Sequence, residues 1–171
     1  MEIRESGPGD AQSLDGLYTA AFPDEDLRSL VRELLAETAG FLSLVAVADG
    51  AVAGHVAFTE CGVGQRVETV ALLGPLAVAP AQQRRGIGSA LVAAGLNRLR
   101  ESGTRSVLVL GDPAYYSRLG FAPETRITPP YDLPDEWQDA WQSIGFGDFE
   151  TEVEGRLTVP SIWRKAELWG P

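Results

Sequence analysis

The chain has 171 residues, 44% of them hydrophobic and 22% charged, the make-up of an ordinary soluble globule large enough to bury one real core. A formal net charge of −10 argues against nucleic acid and against an anionic membrane surface, both of which select a basic face. One cysteine, Cys61, and one histidine, His55, exclude an internal disulfide and a zinc site built from such ligands.

No apolar run is long enough to span a bilayer, because Gly74, Pro75 and Pro80 interrupt the best one. Residues 1–6 lack the basic-then-apolar layout of a secretory signal, so the expected location is the cytoplasm.

A short strand around Ile3 opens the chain, and Pro8-Gly9-Asp10 reads as a turn and helix start. Leu14, Leu17, Tyr18 and Ala21 recur at helical spacing, which predicts an amphipathic helix from Asp10 to Ala21, ended before Pro23. Asp24, Glu25 and Asp26 supply an acidic opening for a second helix carrying Leu27, Leu30, Val31, Leu34 and Leu35. Beyond Gly40 the pattern becomes that of strands. Phe41–Ala48 and Ala51–Thr59 flank Asp49-Gly50, a strong short signal for a hairpin.

Gly62 and Gly64 mark a further turn, and Val67–Val78 reads as a long third strand bent near Gly74-Pro75. From Gly86 a helix runs through Ile87, Leu91 and Leu99, with Arg98 and Arg100 near its negative end and Gly103 as its stop. Ser106–Leu110 is a short buried strand and Asp112-Pro113 starts the next helical turn. Later, Asp135–Ile144 reads as a helix with Trp137 and Trp141 one turn apart, and Thr151–Val159 as a last strand. With no repeat, long linker or low-complexity tract, residues 1–171 are expected to form a single domain, less typical from about residue 126.

The most informative stretch is Gln83-Arg84-Arg85-Gly86-Ile87-Gly88-Ser89, which joins the strand ending at Val78 to the helix. Glycines there let main chain approach a ligand, and the first N–H groups of a helix lack internal partners and favour anions. Arg84 and Arg85 add positive charge at the rim. A Walker loop is absent, and a dinucleotide fingerprint fails because Leu91 stands where its third glycine belongs.

The string does fit Gln/Arg-x-x-Gly-x-Gly/Ala, and so resembles the acyl-CoA pyrophosphate loop of the GCN5-related N-acetyltransferases, the GNAT superfamily. A second string, Tyr116-Ser117-Arg118-Leu119-Gly120-Phe121, resembles the Tyr-x-x-x-Gly-Phe ending found downstream in that family. Its longer form from Gly111-Asp112-Pro113 looks like the YhbS-like branch. One departure is that Val109–Pro113 lacks the asparagine with which many relatives help hold the cofactor.

The resemblance implies an α/β (α+β) GNAT fold: a mixed central sheet with an antiparallel N-terminal meander and helices on both faces. It implies acetyl transfer from acetyl-CoA, as co-substrate and without a metal, to a primary amine by direct attack in a ternary complex. Leu76, Ala77 and Val78 would pair with the pantetheine arm. Gln83, Arg84, Arg85, Gly86, Ile87, Gly88 and Ser89 would hold the pyrophosphate, a backbone N–H near Val78 would face the oxyanion, and Tyr116 would protonate the thiolate. Tyr115 is its nearest rival. Glu60, Glu68 and His55 are candidates to accept the amine's proton, with Glu60 placed beside Tyr116 and Val78 among the expected catalytic residues.

The acceptor is a small-molecule or peptide amine, in the sharper reading a cationic one. Asp132, Asp135, Glu136, Asp139, Asp148, Glu150, Glu152 and Glu154 fall between Arg126 and Arg156 with no basic residue among them. They read either as a solvated face or as an attractor for such an acceptor. A homodimer is compatible with the sequence. The rival functions are a CoA-binding sensor without turnover and a nicotinamide-dependent oxidoreductase.

Overall fold

The computed structural model describes residues 1–37, 39–65, 69–147 and 153–170. The chain divides into two compact units, Met1–Thr59 with Gly74–Arg98, and Glu60–Leu73 with Leu99–Pro171. Arg66, Val67 and Glu68 lie outside the described residues, as do Asp148, Glu150, Thr151 and Glu152.

In the first unit β1 (Glu2–Glu5) pairs antiparallel with β2 (Phe41–Ala48), which pairs antiparallel with β3 (Ala51–Val63). The β2–β3 turn takes the expected residues: Asp49 and Gly50 have φ of 52° and 77°, the left-handed pair that a tight hairpin requires. β4 (Val70–Val78) follows, and Ala79 N–H donates to the Ala53 carbonyl. The peptide between Gly74 and Pro75 is cis.

Alternation along these strands separates two faces. Val45 and Ala77 join Leu14, Leu17 and Tyr18 of α1 (Ala11–Ala21) and Val31 of α2 (Arg28–Ala36) in one buried cluster. The turn and helix start expected at Pro8–Asp10 are found: a 3-10 turn covers Pro8–Asp10, and α1 begins one residue on with Asp10 at its N-cap. The Asp10 carboxylate accepts from Arg4, at 2.8 and 2.9 Å, and from the Gly7 amide, at 2.8 Å.

The opposite face carries α3 (Ile87–Glu101). A β-carbon at Gly54 would lie 2.9 Å from Leu91 Cδ1 and 3.0 Å from Ile87 Cγ2, and one at Gly95 would overlap the ring of Phe58. Helix and strand therefore touch backbone to side chain, with no layer of methyl groups between. Arg98 meets Glu5 at 3.1 Å, a half-exposed pair of small energetic weight.

In the second unit β4 runs parallel to β5 (Ser106–Leu110), through Ala71 with Val107, Leu72 with Leu108 and Leu73 with Val109. α4 (Pro113–Tyr116) and a 3-10 turn over Ser117–Leu119 follow β5. β6 (Ala122–Pro123) pairs with β8 (Trp141–Gly145), and β7 (Ile127–Thr128) runs parallel to β9 (Gly155–Thr158).

The expected helix over Asp135–Ile144 is a correction: Asp135–Ala140 is a 3-10 turn and Trp141–Gly145 is strand β8, paired antiparallel with β5. Five ladder pairs with a buried strand outweigh the one-turn spacing of the two tryptophans. Trp141 is buried, donates to the Ile127 carbonyl at 2.7 Å and stands edge-on to Trp169. β9 is Gly155–Thr158, and its Thr158 and Leu157 pair with Gly62 and Val63. The turn expected over Gly62–Gly64 forms at its second glycine, Gly64, where φ is 56°, while Gly62 is still in the strand. Gly103, with φ of 90°, ends α3 as expected.

Because Phe58 is 1% exposed, its ring has no free space into which to swing. Gly95→Ala is expected to cost about 1–3 kcal/mol of unfolding free energy in urea despite alanine's better helix propensity, and Phe58→Leu in the same chain to restore part of it.

Candidate active site

The residues between β4 and α3 form a compact turn inside the first unit. A 3-10 turn over Pro80–Gln82 leads to Gln83, whose side-chain amide donates to the Val78 carbonyl at 3.2 Å. Arg84 and Gly86 both take positive φ, 64° and 80°. Arg84 accepts a conformation unfavourable to a side chain, and the chain is thereby turned so that Gly86 caps the helix: the Gly86 carbonyl receives the Ala90 N–H at 3.0 Å. The amides of Ile87, Gly88 and Ser89 are then the first-turn donors that a helix cannot satisfy internally.

A β-carbon on Gly86 would meet nothing within 4 Å, so that glycine serves φ and leaves the approach open. Arg84, Arg85 and Gly86 are exposed, while Ile87 is 5% exposed and anchors the turn from below. A 15-residue helix adds the positive end of its dipole to the guanidinium groups. The donors and charges together suit a diphosphate.

Since Ala79 N–H binds β3, alternation turns the Val78 N–H and carbonyl away from β3. The Gln83 contact on that carbonyl agrees with this direction. Leu76 and Val78 are half-buried and Ala77 is buried.

Tyr116 belongs to the second unit. Asp112 caps α4 by accepting the Ala114 N–H at 2.9 Å, and Pro113 sits in the first turn. The Tyr116 ring is 8% exposed and stands edge-on to Tyr115 and Phe121, with centroids at 5.0 and 5.5 Å. A β-carbon on Gly111 would come 2.5 Å from Tyr116 Cε2, so the ring occupies the space that this glycine leaves. Burial pushes the Tyr116 phenol well above its usual range. Tyr115 is half-buried, with Arg118 over its ring at 5.7 Å.

Among the other candidates, Glu60 is exposed on β3 and Glu68 lies outside the described residues. His55 is 1% exposed. Its Nδ1 lies 2.6 Å from the Tyr18 hydroxyl and its Nε2 2.8 Å from Ser43 Oγ. Burial lowers its pKa to about 4, against a smaller opposing pull from Asp10. Cys61 is buried, and its thiol is pushed up to about 12 by the same cause. Asp10 is held below the usual carboxylate range, chiefly by its hydrogen bond to Arg4.

Sequence reasoning missed Gly111, Tyr18, Ser43 and the Arg4–Asp10 pair. The buried Asp10 sits in a turn signal, Tyr18 in a helical apolar stripe and Ser43 in a strand, and none of these patterns separates a polar partner from its background. In the acidic stretch, Asp132 pairs with Arg156 at 3.7 Å, and Asp135, Glu136, Asp139 and Glu154 are exposed. Within the first unit the α1–α2 loop borders an open pocket of about 310 Å³, with Phe22, Asp24, Glu25, Asp26 and Arg28 on its walls. Among the described residues no cluster of three or more metal-ligating side chains occurs, and no helix is long and apolar enough to cross a membrane.

The neutral imidazole has a consequence for stability. Below pH 6.5 the unfolded chain takes up a proton on His55 that the folded chain refuses until about pH 4. Stability present above pH 6.5 is therefore lost as pH falls, by about 3 kcal/mol over that window. Urea titrations at several pH values are expected to show this slope in the wild type and to lose it in His55→Gln.

Comparison with known proteins agrees with this layout. Residues 11–121 match the Acetyltransferase (GNAT) family. The uncharacterized N-acetyltransferase YhbS of Escherichia coli K12 is 38% identical over 141 residues, covering 80% of each chain. The crystal structure of a GNAT family N-acetyltransferase (YhbS) from Escherichia coli in complex with CoA superposes with a TM-score of 0.85 at 31% identity, over 96% of this chain and 92% of that one. A GNAT family acetyltransferase from Brucella melitensis, solved in complex with acetyl-CoA, gives 0.76 at 32% identity over 95% and 97%. The chain belongs to the Acetyltransferase (GNAT) family, with the family's mixed α/β fold, and is an acyl-CoA-dependent acetyltransferase of the YhbS-like kind.

Proposed function

We propose that the chain transfers the acetyl group of acetyl-CoA to a primary amine by direct attack within a ternary complex. The observation that carries the reading is the Gln83–Ser89 turn, where two positive-φ residues set three helix-start amides next to two exposed arginines. The cofactor complexes of the Escherichia coli and Brucella melitensis relatives support acetyl-CoA as the co-substrate.

In this reading the cofactor's diphosphate rests on the amides of Ile87, Gly88 and Ser89 with Arg84 and Arg85 beside it. The pantetheine arm pairs with Leu76, Ala77 and Val78 as an added strand. A carbonyl oxygen has two lone pairs, so the Val78 carbonyl can keep Gln83 while accepting from the arm. The Val78 N–H, turned away from β3, donates to the oxyanion that forms when the amine attacks; such a donor is worth roughly 3 kcal/mol where water is excluded.

Tyr116 donates its hydroxyl proton to the leaving thiolate. A phenol is protonated at physiological pH without any shift, and what supports the role is position: the ring is held in the space left by Gly111, edge-on to Tyr115 and Phe121. Glu60, exposed on β3, takes the amine's proton through water. Direct attack is favoured over an acyl-enzyme because the one cysteine is buried with a thiol that resists ionisation.

The acceptor is a small-molecule or peptide amine. Its positive charge would be favoured beside Asp24, Glu25 and Asp26, which outnumber Arg28 around the α1–α2 pocket. Folding into a homodimer and a cytoplasmic location fit the reading without being required by it.

Turnover is read as thiol release from acetyl-CoA across a panel of amines, and CoA binding as a rise in melting temperature. Tyr116→Phe is expected to lower kcat by roughly 100-fold while leaving the CoA-induced rise intact. Stabilisation by CoA with no thiol release from any amine would make the protein a sensor, and stabilisation by NAD alone would make it an oxidoreductase. Gly111→Ala, which displaces the phenol without removing it, is expected to lower kcat by about 10-fold or more with KM for acetyl-CoA little changed.

A further inference from the structure

Gln142, buried in the second unit, has no part in the reaction as described. It stands on β8 between Val109 of β5 and Pro123 of β6, and it is 1% exposed. A buried side-chain amide costs stability unless its hydrogen bonds are made. Here Nε2 donates to the Gly111 carbonyl at 3.2 Å and, over a longer 3.4 Å, to the Ala140 carbonyl. Both neighbours are acceptors, so only the NH2 end of the amide suits the position.

The Gly111 N–H donates to that same Ala140 carbonyl at 3.0 Å. Three hydrogen bonds therefore close a ring through Gly111, the Ala140 carbonyl and the Gln142 amide, and both polar groups of Gly111 are held in it. Directly after this clamp the chain enters the turn that carries Tyr116. Asp112 follows Gly111, and its carbonyl receives the Tyr116 N–H at 3.0 Å, while the Tyr116 carbonyl receives the Phe121 N–H at 3.2 Å. The Tyr116 ring folds back over Gly111, into the space a β-carbon would take.

A helix of four residues cannot fix its own position, because one turn gains too few hydrogen bonds to offset the ordering of its backbone. α4 is placed by what holds its start, and that start is Gly111 and Asp112. We propose that Gln142 is a positioning residue for the transfer reaction: by clamping the Gly111 peptide it sets where the Tyr116 hydroxyl meets the leaving thiolate. The proposal rests on the acetyltransferase reading above, with Tyr116 as its acid, and Gln142 acts only through Gly111 and Tyr116. The competing role is a polar pin that steadies the β5–β8 pair and has no bearing on the acid.

Gln142→Met keeps the length of the side chain and removes both donors. Read as thiol release, its kcat is expected to fall about 10-fold with KM for acetyl-CoA little changed, because a displaced acid loses rate and not cofactor affinity. The deciding measurement is the same substitution in Tyr116→Phe protein, where no hydroxyl is left to misplace. There the further loss is expected to be less than about 2-fold. Each protein is assayed at a temperature where its melting curve shows it folded. If Gln142→Met melts before it can be assayed, Gln142→Asn, which holds its amide one methylene short of Gly111, is read in the same pair of backgrounds.

An equal loss in both backgrounds makes Gln142 a structural pin and overturns the proposal. So does no loss at all, or a rise in KM for acetyl-CoA at constant kcat. Tyr116→Phe protein as fast as wild type removes the acid on which the proposal depends, and wild type that releases no thiol with any amine removes the acetyltransfer reading. Either result is distinct from active, unequal backgrounds that Gln142→Met fails to tell apart.

Discussion

The close approach of α3 to β3 fixes the rest of the first unit. At Gly54 and Gly95 there is no room for a methyl group between helix and strand, and the apolar residues Ile87, Leu91 and Phe58 close the contact from either side. The helix start is therefore held at a set depth against the sheet. Only eight residues, Ala79 to Gly86, separate Val78 at the end of β4 from Ile87 at the start of α3. A ledge built from helix-start amides keeps its distance from β4 only if the helix cannot slide, and misplacement by about 1 Å is enough to cost two orders of magnitude in an aligned reaction. The strain accepted at Arg84 and the left-handed Gly86 follow from the same demand, because so short a connection must reverse from strand to helix within a few residues.

What the sequence discloses and what it hides divide along a physical line. The Gln83–Ser89 turn is legible because its parts are contiguous: the backbone supplies the donors, and the glycines and arginines needed for that backbone sit side by side. The β2–β3 hairpin is legible for a like reason, since Asp49-Gly50 alone dictates the turn. Strand β8 was hidden because a ladder with β5 decides its conformation, and the spacing of Trp137 and Trp141 is blind to a partner some thirty residues away in the chain. The pairing of His55 with Tyr18 and Ser43 was hidden for the same cause. It joins positions 37 and 12 residues apart, each of which, taken singly, is an unremarkable helix or strand residue. Gly111 was visible as part of a motif, yet only the ring of Tyr116 lying in its missing side chain's place explains why glycine stands there.

Burial acts in one direction on all three titratable groups whose pKa values it moves furthest. His55, Cys61 and Tyr116 are each pushed toward their neutral forms. Among the described residues the carboxylate that is buried, Asp10, is matched by Arg4. The chemical effects nonetheless differ with the kind of group. Neutrality disarms a thiol, which attacks only as thiolate. It keeps a phenol protonated and makes it a weaker acid. It leaves an imidazole with one nitrogen to donate and one to accept, and His55 uses both, toward Tyr18 and Ser43. One cause thus gives an inert thiol, a protonated phenol fixed in place and a neutral bridge that ties α1 to the sheet.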